Sequence, residues 1–173
     1  MTATPDALAQ PIREFLARHA PFDRMGADDL AFVVPRLELA YYAAGRDILV
    51  PDDGPVGELN LIQRGRVGSR PVDPAAPPDA TLGPGEMFPV GALSAGAPAS
   101  RLYTALQDTF AFQLARDDFV ALRARSSAFD RYCSDAITET LRQSLAQLSS
   151  RYGERAAEEQ TLARPLAELV RRA

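Results

Sequence analysis

Residues 85–105 read Gly85-Glu86-Met87-Phe88-Pro89-Val90-Gly91-Ala92-Leu93-Ser94-Ala95-Gly96-Ala97-Pro98-Ala99-Ser100-Arg101-Leu102-Tyr103-Thr104-Ala105. Two short extended runs, Gly85 to Phe88 and Leu102 to Leu106, stand at the ends of this stretch. If the chain is already extended at Ala99, then Ala99 and Arg101 face the same side, because side chains two apart on a strand share a face.

Outward from this segment the texture is the same for some eighty residues. Leu37 to Tyr42, Asp47 to Val50, Glu58 to Ile62 and Arg66 to Ser69 precede it, separated by Ala44-Gly45-Arg46, Pro51-Asp52-Asp53-Gly54-Pro55 and Gly65. Thr81-Leu82 lies just before it and Phe110 to Leu114 just after. The run with Pro71, Pro74, Pro77 and Pro78 reads as loop, because proline donates nothing to a strand ladder. About eight short strands at regular spacing predict a closed barrel or jelly roll, and the strand–helix alternation of a parallel α/β sheet is missing.

Helical periods flank the strands. Leu8, Ile12, Phe15 and Leu16 recur at helix spacing, and a second short helix starts near Ala27 and ends before Pro35. After Leu114 come a short helix, Arg116 to Leu122, and a long one, for which Ser127 with Asp130 three residues on reads as a capping box. The long helix carries Phe129, Cys133, Ile137, Leu141, Leu145 and Leu148 in one stripe. That stripe outruns what a small barrel needs to cover itself, so its surplus predicts a homodimer through Ser127 to Ser150. The alternative is that the whole stripe packs on its own barrel. The fold class expected is therefore mainly β within an α+β chain. It is a double-stranded β-helix (jelly-roll) barrel of about eight strands, with N-terminal helices and a long C-terminal helix.

The residue inventory restricts the chemistry. The 173 residues are 46% hydrophobic and 24% charged, with net charge −4, as in ordinary globular proteins. All 19 basic residues are Arg, and there is one His (His19) and one Cys (Cys133). One Cys makes no internal disulfide and points to a reducing, cytoplasmic setting. One His and one Cys fall short of the usual zinc site, two His are needed for a facial triad, and a Schiff base or Walker A loop needs Lys. His19 reads as a surface or helix-end residue and Cys133 as a small core hydrophobe. No enzyme, metal or obligatory cofactor is expected. The polar, acidic N-terminus is no signal peptide, no run is long enough for a membrane span, and the acidic balance argues against nucleic acid.

The order of helix, strands and helix pair resembles the cyclic-nucleotide-binding domain from about Ile12 to Leu148. Pro21-Phe22, Tyr42-x-x-Gly45-x-x-Ile48 and Leu59-x-Leu61-Ile62-x-x-Gly65-x-Val67 look like its opening pieces. Residues 85–105 resemble its phosphate-binding cassette, roughly G-D-x-F-G-E-L-A-L followed by P-R-A-A-T-V-x-A. The resemblance implies a short helix presenting backbone N–H groups to a cyclic phosphate, an Arg neutralising it and a Glu on the ribose 2′-OH. Phe88, Ala92, Leu93, Pro98 and Ala105 keep the pattern, whereas Pro89, Val90 and Ala99 replace its Gly, Glu and Arg. Arg101 either reaches the pocket in place of the missing Arg or is a solvated arginine where the strand begins. The ligand-binding set implied is Phe88, Val90, Gly91, Ala92, Leu93, Ser100, Arg101 and Tyr103.

Three settings of such a domain differ in what surrounds it. Some 23 residues after Ser150 do not hold a helix-turn-helix, and nothing precedes the domain as a channel pore would. The tail from Thr161, with Pro165-Leu166 and Leu169-Val170-Arg171-Arg172, resembles the lead-in to a CBS domain. The chain thus resembles a bacterial group in which this domain precedes a CBS pair and a nucleotidyltransferase-like domain. The expected division is 8–150 for the domain and 151–173 for a linker and the start of a downstream segment. The function implied is a regulatory domain sensing a nucleotide or other small anion. The alternative is a dimerisation or docking module whose pocket has lost its ligand.

Overall fold

Among the described residues, eight strands form two antiparallel sheets whose inner faces share an apolar core. The computed structural model describes residues 5–70, 80–142 and 145. The first sheet has the order β1 (Glu38–Tyr42), β8 (Thr109–Ala115), β3 (Glu58–Arg64), β6 (Met87–Phe88). The second has the order β2 (Asp47–Leu49), β7 (Leu102–Ala105), β4 (Val67–Arg70), β5 (Ala80–Leu82). Ile62 and Phe88 from the first sheet meet Val67 from the second, with Ile48, Leu49, Leu82 and Tyr103 packed around them. The strand periods read from sequence land close to these boundaries. The closed barrel does not: the described strands form two separate ladders. Closure needs hydrogen bonds between strands far apart in sequence, which a period cannot report.

Gly65 turns β3 into β4 at φ 111°, where a Cβ would stand 2.6 Å from the Thr109 Cα. Only glycine satisfies both the angle and the approach of β8.

Helices cover the sheets. α1 (Pro5–Leu16) begins before the expected Leu8 and places Phe15 edge-on against Phe112 of β8, with ring centroids 5.6 Å apart. α2 (Ala27–Val33) stops where Pro35 forces a 3₁₀ turn, Val34–Arg36. α3 (Val90–Ala95) lies in the cassette segment, and α4 (Arg116–Arg125) follows β8 directly.

A fifth helix, α5, covers 127–142. Its cap is one residue earlier than the sequence reading: the Phe129 N–H donates to Ser126 Oγ at 3.5 Å, and Ser127 is already helical. Phe129 packs on Phe22 and Phe119, each at 5.8 Å between centroids.

The chain divides into two units, Met1–Ala136 and Ile137–Ala173. The proline-rich loop, Leu148, the expected boundary at 150/151 and the tail from Thr161 lie outside the described residues. No described helix is long and apolar enough to cross a membrane.

Candidate functional site

The residues implied by the sequence lie on β6, on α3, and on β7 with the two residues before it. Arg101 precedes β7, whose antiparallel partner β4 sets Ser69 opposite Tyr103 and Arg70 opposite Leu102. Arg101, in the bend before β7, and Tyr103, within it, both reach the Ser69 side chain. The Arg101 Nε donates to Ser69 Oγ at 2.6 Å and its Nη2 to the Ser69 carbonyl at 3.0 Å. Two bonds to one residue fix the plane of the guanidinium, which a lysine could not reproduce. Tyr103 stacks on Phe88 with centroids 4.7 Å apart and planes 19° apart, so an aromatic pair joins the two sheets beside the arginine. Burial raises the Tyr103 phenol above its ordinary pKa, while the Ser69 hydroxyl and the Arg101 charge pull the other way. The phenol therefore stays protonated at neutral pH, a donor beside a fixed cation.

Val90, Leu93 and Leu102 are 8%, 0% and 9% exposed, and Ala99 is buried with them. Val90 opens α3 and Ala99 follows it, so both positions where the resemblance implied Glu and Arg hold buried hydrocarbon. Ala92 is half-buried, while Gly91 and Ser100 are exposed. The structure thus brings Arg101 and Tyr103 together at Ser69, with Phe88 stacked on Tyr103, while Val90, Ala92 and Leu93 belong to α3. Gly91 and Ser100 stand at the surface.

α3 is held from its C-terminal end by two arginines of α4. Gly96, at φ 63°, ends the helix and returns its N–H to the Ala92 and Leu93 carbonyls. The Arg116 Nε donates to the same Leu93 carbonyl at 3.3 Å, and its guanidinium packs on Gly96. The Arg123 Nη1 donates to Ser94 Oγ at 3.1 Å, and the Ser94 hydroxyl donates to the Val90 carbonyl at 2.7 Å. From its other side Arg123 reaches α5: Nε donates to Asp130 Oδ1 at 2.8 Å, Nη2 lies 2.7 Å from the same oxygen, and Nη2 is 3.5 Å from Ser134 Oγ.

The sequence reading missed Ser69, Arg116 and Arg123. Of the two places expected for His19, surface or helix end, it takes the helix end, half-buried just after α1. Its ring lies 4.2 Å from that of Phe15, Nδ1 is 2.8 Å from the Phe15 carbonyl, and the ring edge rests on Gly85. The signal for Ser69 was its place in an alternating strand, but its partner follows only from the β4–β7 pairing. Cys133 is fully buried, and burial pushes its thiol up to about 12, so it is a neutral packing group at physiological pH. Among the described residues there is no cluster of three or more His, Cys, Asp or Glu suited to a metal ion.

No family model and no curated protein matches the chain. Solved structures do. The Thermus thermophilus Catabolite Activator Protein superposes with a TM-score of 0.63 at 23% identity, covering 78% of this chain and 62% of that one. The regulatory domain of Toxoplasma gondii PKA, co-crystallised with cAMP, gives 0.64 at 21% identity, over 74% of this chain and 49% of that one. The sensor domain of the transcriptional regulator DNR from Pseudomonas aeruginosa gives 0.63 at 11% identity, over 76% and 94%. The chain spans less than two-thirds of the first two proteins. At these identities the likeness establishes the fold, which is shared by regulatory and sensor domains.

Proposed function

We propose that this chain is a regulatory ligand-sensing domain of the cyclic-nucleotide-binding type. It takes a nucleotide-like or other small anionic ligand at Arg101 and signals through its C-terminal helix. The observation that carries this reading is the Arg101 guanidinium, oriented by two hydrogen bonds to Ser69, whose side chain Tyr103 also reaches. Without lysine anywhere, side-chain cations for an anion are arginines, and Arg101 is the one within the cassette. The cassette is degenerate in a definite sense. Val90 has no acceptor for a sugar hydroxyl, and an unpaired buried hydroxyl costs roughly 1–3 kcal/mol, so a ribose loses about five- to 150-fold in affinity. Phe88, Val90, Gly91, Ala92, Leu93, Ser100, Arg101 and Tyr103 form the proposed binding set. A ligand signals only by its different affinity for two positions of the helices.

Calorimetry with cAMP, cGMP and a panel of phosphorylated metabolites tests this. The wild-type chain is expected to bind at least one, and Arg101→Ala to bind it at least tenfold more weakly. No heat from either protein with any of them overturns the reading.

A second reading is favoured by the burial of Val90, Leu93 and Leu102 and by the Phe88–Tyr103 stack. In it the pocket is filled, and the domain is a dimerisation or docking module. In either reading we place the domain in the cytoplasm, at the N-terminal side of a larger signal-transduction protein with a CBS-type segment after residue 150. It pairs as a homodimer through the long helix, without nucleic acid, membrane or enzymatic activity of its own.

A further inference from the structure

Arg123 touches three helices at once. Its own helix is α4, Ser94 belongs to α3, and Asp130 and Ser134 belong to α5. The side chain is 25% exposed, against 47% for Asp130, and its guanidinium stands 5.9 Å from the centroid of the Phe119 ring. Three nitrogens of one planar group have fixed mutual geometry. A displacement of Ser94 that keeps its bond to Nη1 therefore moves Nε and Nη2, and with them the partner carboxylate. The cap at Ser126 adds to this. Because the Ser126 hydroxyl takes the Phe129 N–H and the Ser126 carbonyl takes the Asp130 N–H at 2.9 Å, the Asp130 carboxylate is released from capping and is turned to Arg123.

We infer that Arg123 is a positioning residue that couples the cassette helix α3 to the first turns of α5, so that the two helices shift together. The coupling belongs to the folded chain itself and needs no ligand, so it stands or falls separately from the ligand reading above.

The test is a double-mutant cycle on the full chain. Ser94→Ala and Asp130→Asn are combined, with stability read by equilibrium unfolding and local opening by amide hydrogen exchange at 129–134. Direct coupling through one guanidinium predicts non-additivity of about threefold or more in the unfolding constant. It also predicts that Ser94→Ala speeds exchange in α5 while exchange in β3 and β8 is unchanged. Repeating the cycle in Arg123→Met removes the coupling. Should that background not fold, Arg123→Lys serves, since it keeps charge and stem but lacks the fork. Additive effects with arginine present, or the same coupling without it, overturn the proposal.

Discussion

Gly85 lies beneath the single histidine of the chain, at φ 87°, and both facts restrict what can replace it. A Cβ there overlaps the His19 ring, and the backbone angle disfavours any L side chain. Gly85→Ala is therefore expected to lower stability by about 3 kcal/mol, part backbone strain and part overpacking. The two parts separate experimentally. His19→Ala removes the obstructing ring and leaves the backbone term, so the double variant should be more stable in urea than Gly85→Ala alone. A double variant less stable than Gly85→Ala would show that the ring contact is not the cause. Arg101 offers a contrasting case, because the sequence leaves it open between a pocket arginine and a solvated one. Its anchoring to Ser69 depends on which strand pairs with β7, which no local pattern reports.

Among the elements, α5 shows where pattern reading succeeds and where it slips. Ser127 and Asp130 match a capping box, so the sequence places the cap at Ser127. The hydroxyl that accepts the N3 N–H is that of Ser126, and the acid is taken by Arg123. Two adjacent serines offer the same hydroxyl, and a distant arginine decided between them. Ser126→Ala should cost about 1 kcal/mol by thermal or chemical unfolding, and Ser127→Ala only a few tenths. Equal costs, or the reverse order, would return the cap to Ser127. The strand boundaries were legible because two-residue alternation and Gly/Pro punctuation are local signals. Which sheet each strand joins was not, since β8 pairs with β1 and β3 across most of the domain's length.

For the whole molecule, the stripe on α5 sets the expectation. Phe129 and Cys133 are fully buried, but Leu141 and Leu145, further along the same stripe, are 60% and 65% exposed. Exposed leucines at a spacing of four form one helical face, which a second copy of the helix can cover. The chain is expected to run as a dimer in light scattering at micromolar concentration, and Leu141→Glu with Leu145→Glu to run as a monomer with unchanged circular dichroism. A wild-type monomer, or a dimer surviving both substitutions, removes the long helix as the interface. The aromatic bridge between the sheets has a practical consequence of its own. The chain has no tryptophan and five tyrosines, so its ultraviolet emission is a tyrosine signal. Tyr103 stacks face to face with Phe88 next to the arginine, in an asymmetric setting. The difference in tyrosine emission between the wild type and Tyr103→Phe thus isolates an optical signal at the candidate site, without a dye.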